Sequence, residues 1–149
     1  MKIVFQRVSS ASVVADGKPA GSIGPGALLL LGVKVGDTAQ NAALLAKKCA
    51  NLRVFNDAGG KKSFSLLDIG GEALVVPNFT LYGSARRGRR PEFLDAARPE
   101  EAAPLFKRFL ALLKAEGVKR VESGVFGAYM ELDIQSDGPV TLVLDTEEL

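Results

Sequence analysis

The run Ala27-Leu28-Leu29-Leu30-Leu31-Gly32-Val33 constrains this chain most. It is too short to span a bilayer. Gly24-Pro25-Gly26 stands before it, and it lacks the polar alternation of a half-exposed strand. It reads as a central β-strand buried on both faces. A second apolar run, Ala73-Leu74-Val75-Val76, follows Gly70-Gly71 and reads as another buried strand over Glu72 to Val76. Around these runs the pattern is mixed. Lys2 to Val14 is rich in Val and predicts a first strand bent near Ser9-Ser10. Asp16-Gly17 marks a hairpin, with Lys18 to Ile23 returning.

Ala42, Leu45, Ala46 and Cys49 recur at helical spacing behind Asp37-Thr38, which predicts a helix over about Thr38 to Leu52. Arg53 to Phe55 is expected as a short strand and Ser65 to Asp68 as a turn. A second helix starts at Arg98-Pro99-Glu100-Glu101, carries Leu105, Phe109 and Leu112 on one stripe, and ends at Gly117. Val118 to Glu122, Ala128 to Gln135 and Val140 to Leu144 close the chain as strands. The expected architecture is a mixed α/β (α+β) single domain over residues 1–149, strand-rich with two main helices.

The chain has no histidine, so its chemistry runs without the usual general base at neutral pH. Cys49 is the only cysteine. It can form no internal disulfide, it sits on the apolar stripe of the first helix, and it reads as a buried small residue. No metal ligand set can be drawn without histidine and with one thiol, and no cofactor is expected. The glycines match no phosphate-loop or dinucleotide fingerprint. The N-terminus lacks the apolar core of a signal peptide, so a cytoplasmic protein is the default expectation.

Four segments carry candidate function. Pro77-Asn78-Phe79-Thr80-Leu81 follows a buried strand, where binding groups tend to sit. Thr80 reads as a nucleophile, a hydrogen-bond donor or a plain strand residue, and as a nucleophile it lacks a visible activating base. Ser136-Asp137-Gly138-Pro139-Val140-Thr141 is either a simple turn between strands or a rigid loop that presents its carbonyl groups outward. Arg86-Arg87-Gly88-Arg89-Arg90 is either a solvated charge run or a phosphate-contacting loop, on a chain whose net charge is only +2. Phe126 and Met130 are either core residues or a pair that sandwiches a base.

Together these segments resemble the D-aminoacyl-tRNA deacylase family. The resemblance runs from Ile3-Val4-Phe5-Gln6-Arg7-Val8 through Leu52-Arg53-Val54-Phe55, Phe79-Thr80-Leu81, Arg87 to Pro91 with Phe93, and Phe126 to Met130, to Gly138-Pro139-Val140-Thr141. It implies a compact barrel-like fold and hydrolysis of the ester joining a D-amino acid, or glycine, to tRNA. It also implies a homodimer whose active site lies at the subunit interface and takes the 3′ end of aminoacyl-tRNA, with no membrane or DNA partner. By the same resemblance Gly138-Pro139, with a cis bond, enters the partner's pocket and captures the substrate's α-amino group on its carbonyls. Arg7 braces that loop, and Phe126 and Met130 hold the terminal adenine. Catalysis falls to the backbone around Asn78, Phe79 and Thr80, assisted by the 2′-hydroxyl of the terminal adenosine. Where most of the family carries Ser-Gln, this chain has Pro77-Asn78, a change shared with a branch of relaxed handedness. The rival readings are a non-catalytic tRNA-binding module and a hydrolase of free D-amino-acid compounds.

Overall fold

The computed structural model describes residues 1–149. Strand β1 (Lys2–Ala15) leads into β2 (Lys18–Ile23) and β3 (Gly26–Gly32). Helix α1 (Ala39–Asn51) and a small hairpin of β4 (Phe55–Asn56) and β5 (Lys62–Phe64) precede β6 (Glu72–Pro77). A 3-10 turn (Phe79–Tyr82), α2 (Pro99–Ala115), β7 (Val121–Ser123) and β8 (Met130–Asp145) complete the chain. The main sheet runs β2-β1-β3-β6-β7, with β8 on β1 as well. β3 pairs β6 in parallel and β6 pairs β7 in parallel, each across a helical crossover, while the remaining pairs in the sheet are antiparallel.

The sheet curls until β7 approaches β2. Arg120 donates to the Ser22 carbonyl at 3.0 Å, and a Cβ on Gly21 would stand 3.2 Å from the Glu122 Cβ. The result is the nearly closed, barrel-like α/β arrangement that the sequence led us to expect. Two apolar layers hold it. Ala27, Leu29 and Leu31 of β3 and Ala73 and Val75 of β6 pack towards the helices, with Leu45, Cys49, Phe106 and Phe109. Leu28, Leu74 and Val76 point to the other side, into the barrel with Val8, Val13 and Ile23. The two apolar runs are therefore buried on both faces, as read.

β1 changes role at Ser9-Ser10. Lys2 to Val8 pairs with β3, and Ala11 to Ala15 pairs with β2. Ile3 and Phe5 belong to the helix layer, whereas Ala11 and Val13 belong to the barrel interior. The expected bend is this handover.

Four expectations need correction. The two closing strands are one strand, β8. Gln6 pairs with Thr141 and Val8 with Ser136, so residues 137–140 bulge out opposite Arg7 and the chain then resumes its course along β1. A fourteen-residue β1 is long enough to pair both halves. Asp137-Gly138-Pro139 is thus an excursion within a strand and not a hairpin turn. β7 starts at Val121 rather than Val118, because the N–H groups of Gly117 and Val118 still turn back to the Lys114 and Leu113 carbonyls at the end of α2. The short strand expected at Arg53 to Phe55 sits at Phe55–Asn56 as β4, and its partner β5 was not foreseen, because so short a strand carries too little periodic signal. Finally, Thr80 lies in a 3-10 turn, so its reading as a strand residue falls.

Gly26 shows how tightly β3 and β6 meet. A Cβ there would lie 1.9 Å from the Glu72 carbonyl oxygen, which is backbone and cannot swing aside. Gly26→Ala should therefore lower stability by about 1–3 kcal/mol or more, read as a lower denaturant midpoint.

Candidate active site

Pro77 ends β6 directly beside Leu31 of β3. The next N–H, of Asn78, donates to the Leu31 carbonyl at 2.8 Å and ties the following turn to the strand ends. In that turn the Leu81 N–H reaches the Asn78 carbonyl at 3.4 Å, and the Gly83 N–H reaches the Thr80 carbonyl at 2.9 Å. The N–H groups of Phe79 and Thr80, at the start of the turn, have no acceptor within the chain. The Thr80 hydroxyl donates to Oδ1 of Asn78. An amide oxygen is no base, so this contact orients Asn78 and does not activate Thr80.

A cavity of about 480 Å³ opens beside this turn. Its floor is Leu31, Val33 and Pro77, its rim includes Asn78, Phe79 and Thr80, and its far wall comes from Ala102 and Phe106 of α2. Phe126 and Met130 complete it from the segment leading into β8. Phe106 and Phe126 stand with ring centroids 6.1 Å apart, and Phe79 meets Phe93 edge-on at 5.1 Å. Buried Gly124 makes room for Met130, since a Cβ there would lie 2.7 Å from the thioether sulfur. None of the sixteen lining residues ionises. Whatever binds here is met by aromatic rings, a thioether, one amide, one hydroxyl and main chain.

Arg7, Gly138 and Pro139 stand elsewhere. Arg7 pairs with Ala27, four residues from Leu31, about 13 Å along the strand. Its guanidinium is almost wholly buried. Nη1 donates to the Val54 carbonyl at 2.7 Å, and Nε donates to the Asp137 carbonyl at 3.0 Å and lies 3.2 Å from the Asp137 carboxylate. It clamps the first residue of the excursion. Gly138 has φ +128°, and a Cβ there would meet Arg7 Nη2 and the Val140 nitrogen, each at 3.0 Å. The Gly138-Pro139 bond is cis, and both residues are exposed. They do not line their own chain's cavity. The structure thus groups Pro77, Asn78, Phe79, Thr80, Phe126 and Met130, and sets Arg7 beside Gly138 at a separate place.

Sequence reading missed Phe93 and Phe106 as lining residues. Phe106 lies on the apolar face of α2, where a pocket wall and a core residue look alike. It also missed Tyr82, whose buried hydroxyl has no hydrogen-bond partner. Burial, with Asp37 and Asp145 nearby, pushes its ionisation upward, while Lys2 Nζ sits 4.9 Å over its ring. Cys49 is fully buried, and burial pushes its thiol well above the usual range, so it is no nucleophile.

Fold and site together define a small two-helix α/β barrel protein with an aromatic pocket at the ends of parallel strands. The family model for D-Tyr-tRNA(Tyr) deacylase matches residues 4–145. The chain is 49% identical to a D-aminoacyl-tRNA deacylase of Bacillus velezensis, over 99% of this chain and all of that one. It is 58% identical to one of Roseiflexus castenholzii, over 98% and 92%. Among solved structures, a c-Myc DNA unwinding element binding protein superposes with TM-score 0.91 at 40% identity, over 98% of this chain and 99% of that one. A probable eukaryotic D-amino acid tRNA deacylase superposes at 0.85 with 18% identity, over 96% and 97%, which shows the shared fold. The chain belongs to the D-Tyr-tRNA(Tyr) deacylase family. The expected membership, fold and enzyme class are borne out at that level. No helix is long and apolar enough to cross a membrane.

Removing the Arg7 clamp leaves the buried Val54 carbonyl and the Asp137 carbonyl without donors. Arg7→Ala should cost about 2–4 kcal/mol in denaturant titration, and Arg7→Lys should recover only part, because one ammonium cannot reproduce the fork.

Proposed function

We propose that this chain hydrolyses the ester bond of D-aminoacyl-tRNA, and of glycyl-tRNA, releasing the amino acid and tRNA as a proofreading step of cytoplasmic translation. The observation that carries the reading is a pocket without one ionisable side chain, rimmed by the unpartnered N–H groups of Phe79 and Thr80, in a member of this family. Ester hydrolysis needs a place for the developing oxyanion, and paired backbone N–H groups provide one. Phe126 and Met130 hold the terminal adenine on the apolar wall. Water attacks the ester carbonyl, assisted by the 2′-hydroxyl of the substrate, which accounts for a hydrolase without histidine.

The enzyme works as a homodimer. β8 pairs only with β1, leaving its other edge open over sixteen residues. Along it Tyr129, Val143, Leu142 and Ile134 are exposed at 75%, 61%, 38% and 37%. A long open edge with exposed apolar side chains along it suits an interface. The same strand carries the exposed Gly138-Pro139 excursion, held out by Arg7. In the dimer this excursion enters the partner's pocket. There its carbonyls receive the substrate's α-ammonium group, and an L side chain collides with them while hydrogen or a D side chain does not. No cofactor or metal takes part.

Turnover of D-tyrosyl-tRNA against L-tyrosyl-tRNA tests the reading. The D ester should be cleaved at least about a hundredfold faster, a difference of about 2.7 kcal/mol in transition-state binding. Equal cleavage of both would end the D-selective reading and assign a deacylase of relaxed handedness. Cleavage of neither would end the proposal.

Two further outcomes follow. Thr80→Ala should slow turnover about tenfold without abolishing it, because Thr80 acts through Asn78 and its own backbone. A trapped acyl-enzyme on Thr80 would overturn that role. The pH profile of kcat/KM should bend only where the substrate's amine titrates, near pH 8, with no acidic limb from about pH 5 to 7. An acidic limb would place an enzyme carboxylate at the ester.

A further inference from the structure

The segment after the Phe79–Tyr82 turn carries the densest run of positive charge in the chain. Gly83 leads into a loop closed by reciprocal backbone hydrogen bonds between Ser84 and Glu92, at 2.8 and 3.0 Å. At its apex Gly88 has φ +67°, and Arg86-Arg87 and Arg89-Arg90 flank it, two on each side. All four arginines are exposed, and none forms an ion pair within the chain. Four positive charges in five residues make a dense local patch on a chain of net charge +2. Arg86 and Arg87 line the cleft below the tip with Lys2, Glu92 and Asp95, while Arg89 and Arg90 lie outside it.

The loop is anchored to the pocket at both ends. Phe93 follows Glu92, lines the cavity and packs edge-on against Phe79. A Cβ on Gly83 would lie 2.8 Å from the Phe93 ring, so the two ends of the loop are locked together. Arg90 is three residues from Phe93, which limits their Cα separation to about 10 Å. Phe79, Phe93 and Leu94 are exposed at 57%, 36% and 81% beside it. A basic tip beside exposed apolar side chains is the combination that holds single-stranded nucleic acid, with phosphates on the cations and bases against the rings.

We propose that Arg86, Arg87, Arg89 and Arg90 bind the phosphates just 5′ of the terminal adenosine, with the adjoining bases resting on Phe93 and Leu94. This rests on the deacylase reading for the polarity of the strand. It makes the loop a grip on the RNA that takes no part in the ester chemistry.

Four single-strand phosphate contacts predict a slope of about −2.8 in log affinity against log salt, or about a 50-fold loss between 50 and 200 mM. The test compares the wild type with R86A/R87A/R89A/R90A and with the matching quadruple Lys variant. Binding of uncharged tRNA is measured across salt concentrations. Hydrolysis is measured on D-tyrosyl-tRNA and on the 3′-D-tyrosyl ester of adenosine, which has no phosphates. The Ala variant should lose at least about tenfold in tRNA affinity and raise KM for D-tyrosyl-tRNA in step. Its kcat and its activity on the adenosine ester should be unchanged, and its salt slope should flatten by about 2 to 3. The Lys variant should keep most of the slope, which a purely structural role for the loop would not predict. Unchanged tRNA affinity and slope in the Ala variant would overturn the inference. If the wild type cleaves neither ester yet the Ala variant loses tRNA, the grip stands and the deacylase reading falls.

Discussion

The parallel pairing of β3 with β6 is the constraint from which the rest follows. Both strands are apolar on both faces, so each face must be covered. Leu28, Leu74 and Val76 demand a barrel interior, and Leu29, Leu31 and Val75 demand a helical layer. A parallel pair also needs a crossover, which α1 supplies. Once the strands are side by side, their C-terminal ends lie together, and the chain leaving β6 must turn there. Leu31 and Pro77 therefore become a pocket floor, and Asn78 to Thr80 its rim. Gly26 permits the approach at the opposite end, where any side chain would strike Glu72. Stability and site share one contact surface.

The absence of histidine has a structural counterpart. A pocket wholly lined by non-ionising residues cannot supply a side-chain general base, so any chemistry there relies on main-chain dipoles, shape and the substrate's own groups. Such a site must be rigid, because a dipole stabilises charge only when it is already aimed. The structure provides that rigidity locally. The Asn78 N–H is fixed to Leu31, the 3-10 turn is closed by Leu81 and Gly83, and Phe79 is braced by Phe93. Toward the other end of β3, on the same face, Arg7 fixes Asp137 and, through Val54, ties the excursion to the entrance of hairpin β4–β5.

What the sequence revealed depended on how local the signal was. Ala27 to Val33, Ala73 to Val76 and both helices were legible because periodicity and apolar runs report burial directly. The handover in β1 was legible as Ser9-Ser10 interrupting an apolar alternation. The unity of β8 was not, because Asp137-Gly138-Pro139 carries every local mark of a turn, and only the register against Gln6 and Val8 shows that the strand continues. In the site, Pro77 to Thr80, Phe126 and Met130 stood out by residue type and position. Phe106 and Ala102 did not, since a helix face that lines a pocket and one that lines a core have the same pattern, and Phe93 did not, since it lies in a loop with no periodic signal. The separation of Arg7 and Gly138 from the cavity is a tertiary fact that no local pattern encodes.

Pro77 shows how fold and site can be separated within one residue. Proline has no N–H to give a ladder, and in the middle of a parallel sheet that would cost a hydrogen bond. Here it is the last residue of β6, and the Leu31 carbonyl is satisfied by the next residue, Asn78. The fold therefore does not register the loss of the hydroxyl and N–H that serine would bring. The pocket does: Pro77 lies in its floor, and its Cδ would stand 3.4 Å from a Cβ on Gly124, the glycine that admits Met130. A polar donor has been exchanged for an apolar ring beside the thioether. Against the Ser-Gln that the resemblance leads one to expect, Pro77 makes the cavity depend more on packing and less on hydrogen bonding, and it leaves the pairing of β3 with β6 intact.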